Sequence, residues 1–183
     1  MTMDFSKHLM ALLFLLVAAA SAETAMARRP AATDDENSIA AYLKAHNAAR
    51  EGLTSAEEGL LSWNATLADY AENYAKKMAS STGCSDLYHS GSKEYGENLA
   101  WGSGEFMTGK AAVEMWVSEK ANYTYATNSC KTGQMCGHYT QVVWKATAAV
   151  GCARTKCTID PPGGFFVICN YYPPGNYFGE KPY

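Results

Sequence analysis

The 183-residue chain has no stretch long and apolar enough to read as a membrane-spanning helix. Its longest uncharged run, Leu9 to Ala20, falls well short of the ~20 residues a bilayer requires. It also lacks an excess of positive charge. Fifteen Lys and Arg stand against eighteen Asp and Glu, a formal net charge of −3, so nothing steers the protein to a nucleic-acid backbone. No cysteine precedes Cys84 and no Cys-x-x-Cys pair occurs, which argues against a structural zinc site. Charged residues are only 18% of the chain, but apolar residues are 48%, enough for a packed core. There is no internal repeat and no low-complexity tract.

The N-terminus carries a processing signal. Lys7 and His8 precede the run Leu9–Ala20, which ends in the small residues Ala20-Ser21-Ala22. That order of charged, apolar and small residues is a secretory signal peptide over 1–22. A second small site, Ala25-Met26-Ala27, places an alternative cut after Ala27. Export puts Cys84, Cys130, Cys136, Cys152, Cys157 and Cys169 in an oxidising compartment. An even number favours three disulfides, and six cysteines allow fifteen pairings. The sequons at Asn64 and Asn122 are candidate glycan acceptors.

Residues 23–36 read as a loose leader, and 37–183 as a single domain. Ile39, Tyr42, Leu43, His46 and Ala49 recur at helical spacing, so a first helix is expected from about Asn37 to Glu51, ended by Gly52. His46 on that stripe reads as a packed, hydrogen-bonded core histidine. Asn64 can cap a second helix carrying Leu67, Tyr70, Ala71, Tyr74, Ala75 and Met78, stopped by Ser80-Ser81-Thr82-Gly83. A third helix is expected over about Thr108 to Lys120, with Trp116 on its apolar stripe, Glu119 at the edge of that face and Glu114 in solvent. Residues 84–105 and 121–136 read mostly as loop. Tyr139–Trp144, Ala149–Arg154 and Phe165–Tyr171 read as strands, the last two joined by the turn Asp160–Gly164. Phe165–Cys169 is apolar on both faces, as a strand covered on two sides would be. These features predict an α+β fold. It is a three-layer α-β-α sandwich with a mostly antiparallel central sheet, stabilised by disulfides.

Two segments carry a family resemblance. Gly137-His138-Tyr139-Thr140-Gln141-Val142-Val143-Trp144 resembles the first signature of the CAP superfamily (cysteine-rich secretory proteins, antigen 5 and pathogenesis-related 1 proteins). Phe166-Val167-Ile168-Cys169-Asn170-Tyr171-Tyr172-Pro173-Pro174-Gly175-Asn176-Tyr177 resembles the second. Leu43–Arg50, Leu61-Ser62-Trp63 and Tyr95-Gly96-Glu97-Asn98-Leu99-Ala100 are similar to the family's first helix, pre-helix segment and central loop. Cys130 to Cys136 and the closing Lys181-Pro182-Tyr183 resemble the plant pathogenesis-related 1 branch.

The resemblance implies the pairing Cys84–Cys157, Cys130–Cys136 and Cys152–Cys169. It also implies a cleft tetrad of His89, Glu97, Glu119 and His138. Taken alone, spacing does not join these residues. Two neutral imidazoles, His89 and His138, could hold a Zn²⁺, with a carboxylate as base toward its water. A glutamate bonded to a histidine can equally serve only to fix loops, and no nucleophilic constellation is present. No cofactor is therefore required, and an enzyme is the less favoured reading. The resemblance implies a secreted plant defence protein that binds sterol or another lipid, is monomeric, acts on pathogen surface components and resides in the apoplast. Ending at Tyr183 is taken to favour the apoplast over the vacuole. The alternatives are a metal-dependent hydrolase using the tetrad, or a precursor releasing Pro173–Tyr183 as a defence-signalling peptide. Tyr177, Phe178 and Tyr183 are also expected to pack back as a C-terminal cap.

Overall fold

Strand β6 (Gly164–Tyr172) organises the domain. Phe166 and Ile168 point into one core, with Ala71, Tyr74, Ala75 and Met78 of helix α2 (Ala65–Ser81). Val167, Cys169 and Tyr171 point into the other, with Tyr42, Ala112, Val113, Trp116, Tyr139 and Val142. The period of two delivers alternate residues to opposite faces, and helices cover both. The second core is built by α1 (Ile39–Arg50), α3 (Gly109–Ser118) and the short α4 (Gly137–Val142). The result is the expected α-β-α sandwich. The computed structural model describes residues 34–53, 59–81, 84, 86–158 and 163–183. The expected signal peptide, most of the leader, the stop at Thr82-Gly83 and the turn tip at 160–162 lie outside the described residues.

The sheet runs β1-β5-β6-β2, with β1 (Ser62–Trp63), β2 (Gly96–Ser103) and β5 (Ala149–Lys156). β1 is parallel to β5; β5–β6 and β6–β2 are antiparallel. Gly151 of β5 lets α2 approach closely, because a Cβ there would stand 2.2 Å from the Ala68 amide nitrogen. Local chemistry sets the helix starts. Ser38 Oγ accepts from the Ala41 amide, Asn64 Oδ1 from Leu67, and Thr108 Oγ1 from Ala111. Disulfides join Cys84 to Cys157, Cys130 to Cys136, and Cys152 to Cys169, the last across β5 and β6.

Four segments depart from the expectation in whole or in part. Tyr139–Trp144 is not a strand, since Gly137–Val142 is helical. Tyr139, Val142 and Val143 are wholly buried and Thr140, Gln141 and Trp144 nearly so, so the segment has no solvent face from Tyr139 onward and its period is hidden. Residues 84–105 are mostly loop, as expected, but they also contain β2. Glycines suggested turns there, but Gly96 serves close packing: a Cβ would fall 2.1 Å from Gln141 Oε1. Residues 119–130 fold into a 3-10 turn at Glu119–Asn122 and a small ribbon, β3 (Tyr123–Thr124) with β4 (Ser129–Cys130). The leader's last residues also start structure, as a 3-10 turn at Asp34–Asn37.

Two buried polar centres hold the second core. Arg50 donates to the carbonyls of Val142, Trp144 and Thr147 at 2.9 Å each, and also to Gly59. Burial pulls its pKa down to about 10, so it stays charged at neutral pH. His46 is fully buried, and burial pushes its pKa down to about 4. The neutral ring donates from Nδ1 to the Tyr42 carbonyl at 2.8 Å and accepts at Nε2 from the Tyr171 hydroxyl at 2.9 Å. It is the packed core histidine anticipated from the helix stripe.

Candidate functional site

The four candidate cleft residues fall into two His–Glu pairs. Glu97 lies on β2, and its Oε1 accepts from His89 Nδ1 at 2.9 Å and from the Ser90 amide at 2.8 Å. Its other oxygen accepts from Asn170 Nδ2 at 3.1 Å. The carboxylate is 5% exposed and the imidazole 62% exposed. Burial alone would raise the Glu97 pKa, but the bonds from His89, Ser90 and Asn170 outweigh it and hold the carboxyl below its ordinary value. The hydrogen bond to Glu97 raises the pKa of His89.

Glu119 follows α3 directly. Its Oε1 accepts from His138 Nδ1 at 2.7 Å, and its Oε2 from the His138 amide at 3.0 Å. It thereby satisfies an amide in the first turn of α4, where a negative charge also suits the helix dipole. The His138 ring stacks 6.4 Å from Trp116, whose indole donates to the Leu99 carbonyl at 3.0 Å. One side chain ties the pairs together. Asn98, next to Glu97 on β2, donates from Nδ2 to the His138 carbonyl at 3.0 Å and to the Tyr171 hydroxyl at 3.2 Å.

The donor set falls short of a catalytic zinc site. Each histidine uses Nδ1 on its own glutamate, which leaves Nε2 free, the arrangement that metal-ligating histidines also have. Among the described residues no three His, Cys, Asp or Glu converge on a point that could hold a metal ion. Two imidazole Nε2 atoms alone are fewer than the three protein ligands usual for a catalytic zinc. We therefore derive no reaction step through a metal.

The larger feature was not foreseen from sequence. A groove of about 820 Å³ runs between α1 and α3. Ala41, Ala45, Ala48 and Ala49 line it from α1, at helical spacing, and Val117 and Ser118 from α3. Lys44 adds a charge from α1, and Lys110 stands 3.9 Å from Glu36 and 3.7 Å from Glu114. The alanine stripe is the only sequence signal, and small residues on a helix face do not reveal how far away the next helix lies. A shallower cleft of about 210 Å³ lies beside His89 and Glu97, walled by Tyr95, Gln141, Gly175 and Asn176. Among the described residues no helix is long and apolar enough to cross a membrane.

Comparison with known proteins agrees with the architecture. The model of the cysteine-rich secretory protein family matches residues 43–171, more than half of the chain. Pathogenesis-related protein 1A of Nicotiana tabacum is 52% identical over 150 residues, which are 81% of this chain and 82% of that protein. Pathogenesis-related protein PRMS of Zea mays is 46% identical over 182 residues, 99% of this chain and 100% of that protein. The structure of Schistosoma mansoni venom allergen-like protein 4 is similar at 28% identity with a TM-score of 0.58, over 78% of this chain and 91% of that one. The chain thus belongs to the cysteine-rich secretory protein (CAP) family, within its plant pathogenesis-related protein 1 branch.

Proposed function

We propose that this is a secreted plant defence protein whose activity is the binding of a sterol or similar lipid in the α1–α3 groove. The observation that carries the reading is the groove itself. Its volume, about 820 Å³, is in the range of small-molecule sites, and alanines of α1 and Val117 line it beside Glu36, Lys44, Lys110, Glu114 and Ser118. Burying apolar ligand surface there gains roughly 25 cal/mol per Å². Lys44 and the Lys110–Glu36–Glu114 cluster offer charge for a small polar group. Export is supported by the three disulfides, which suit an oxidising compartment, and by the N-terminal signal pattern. The defence role is supported by the pathogenesis-related names of the tobacco and maize relatives.

The His–Glu pairs take a supporting part in this reading. Each carboxylate anchors a backbone amide, Ser90 in one pair and His138 in the other, and so fixes the loops around the central strands. The test is titration of a fluorescent sterol into wild type, Ala45→Trp and Glu97→Gln. Ala45→Trp fills the groove and is expected to weaken binding at least tenfold. Glu97→Gln is expected to stay within twofold of wild type. Equal affinity in all three proteins refutes the groove as the site, and loss only in Glu97→Gln moves the ligand to the His89 cleft.

A further inference from the structure

The segment Pro173–Tyr183 lies on the domain as an extended strap with no covalent cross-link of its own, since the last disulfide cysteine is Cys169. It is held chiefly by hydrogen bonds spaced along its length. Thr147 Oγ1 donates to the Pro173 carbonyl at 2.9 Å, and the Gly175 amide donates to Gln141 Oε1 at 3.0 Å. The Asn176 amide group donates to the Gly137 carbonyl at 2.9 Å and accepts from Thr140 Oγ1 at 2.7 Å. Asn128 Nδ2 donates to the Glu180 carbonyl at 2.9 Å, the Lys145 amide to the Pro182 carbonyl at 2.6 Å, and the Tyr125 hydroxyl to the Tyr183 carbonyl at 2.6 Å.

Its final residues are read most closely. Pro182 is buried. The Tyr183 ring stacks on Tyr125, centroids 5.0 Å apart and 12° from parallel, and meets Tyr123 edge-on at 6.5 Å. Its hydroxyl lies 3.2 Å from that of Tyr139. The expected cap is therefore partial. Tyr183 is docked and Tyr177 leans on Trp144 at 6.1 Å, but Phe178 stands fully exposed at the tip of a turn. Backbone hydrogen bonds along an extended segment, with a proline and a tyrosine held at one end, are how a protein surface recognises a peptide.

We propose that the surface formed by Tyr123, Tyr125, Asn128, Tyr139 and the Lys145 amide is a peptide-recognition site for the sequence Glu-Lys-Pro-Tyr in an extended chain, occupied here by the protein's own strap. The site is reversible, because nothing but non-covalent contact holds that end. A second copy's strap competes for the same surface, at a disadvantage set by the high effective concentration of the tethered one. The proposal is independent of the lipid reading, whose groove lies between α1 and α3.

The test uses full chains and a fluorescein-labelled synthetic peptide of residues 173–183, followed by fluorescence anisotropy. The double variant Pro182→Ala/Tyr183→Ala loosens the tethered strap, and is expected to bind the peptide saturably and at least tenfold more tightly than wild type does. Adding Asn128→Gly to that variant is expected to weaken binding several-fold. Glycine keeps the positive φ of 48° found at Asn128 while removing its amide, so folding is spared. Adding Tyr125→Ala is expected to abolish binding, with circular dichroism confirming the fold. Failure of the double variant to bind the peptide overturns the proposal, as does equal binding by wild type and all variants.

Discussion

Replacement of Arg50 by methionine tests how the domain holds the segment between α4 and β5. Arg50 sits at the end of α1, 1% exposed, and donates to four carbonyls: Gly59, Val142, Trp144 and Thr147. Methionine keeps much of the stem volume but has no donor. The variant also removes the desolvation cost of the buried cation, which works in its favour. Against this, four carbonyls lose their partner, and a buried group left unpaired costs about 1–3 kcal/mol. Water reaching some of them limits the sum, so the expected loss is about 3–5 kcal/mol. That is a large share of the 5–15 kcal/mol typical of a domain. Urea unfolding followed by tryptophan fluorescence measures it as a lower midpoint at unchanged slope. Arg50→Lys restores the charge with fewer, differently placed donors and is expected to fall between the two. A loss below about 1 kcal/mol in Arg50→Met would mean that these carbonyls are satisfied without the guanidinium, and the argument for Arg50 as the clamp on residues 142–147 would fail.

The His89–Glu97 pair predicts a pH signature. His89 has its pKa raised by Glu97, so its contribution to stability is complete below the ordinary histidine value and fades as pH rises through the raised one. Glu97 has its pKa lowered, so its contribution is present above the ordinary carboxylate value and fades as pH falls through the lowered one. Proton NMR of the His89 ring should show titration above the ordinary value in wild type and a return toward it in Glu97→Gln. The disulfides should differ in weight. Cys84–Cys157 spans 73 residues and Cys130–Cys136 spans six, and loop-closure entropy gives about 4 and about 2 kcal/mol respectively. Paired Cys→Ser variants compared by denaturant midpoints check the order, and the reverse order would refute the entropic account.

Much of the fold is legible because its elements bury one face at a time. α1, α2 and α3 show the helical period, since each has a solvent side; Glu114, read as solvated, is indeed exposed on α3. β5 and β6 announce themselves by length and apolar content. α4 fails the same test because it is enclosed. Tyr139, Val142 and Val143 are buried, and so is Gln141, whose carbonyl oxygen is bonded to the Gly175 amide. A six-residue helix whose residues from Tyr139 onward have no solvent face looks like a buried strand. β2 fails for the opposite reason. Its glycines look like turn signals, but Gly102 is still paired within the strand, opposite Phe165 of β6, where a Cβ would lie 2.7 Å from the Met107 side chain. Periodicity reports exposure, and it goes silent where an element has none.

The site separates along a different line. His89 and Glu97, eight residues apart, meet across a loop and a strand; Glu119 and His138, nineteen apart, meet across the ribbon. Neither pair lies on one helix or one strand, so only likeness to a family could suggest the pairs. The groove was invisible to both approaches, because its volume depends on the distance between two helices. Yet α3 and the residue after it link the groove to one of the two pairs. Val117 and Ser118 of α3 line the groove, Trp116 donates to Leu99 and stacks near His138, and Glu119 holds the ring and the amide of His138. Consecutive helical residues point about 100° apart, so Trp116 faces the sheet while Val117 and Ser118 line the groove, and Glu119 opens the 3-10 turn that follows α3. The glutamate's position next to the groove therefore follows from the end of a helix. That is sufficient to explain its place in the structure without assigning it to chemistry on a ligand.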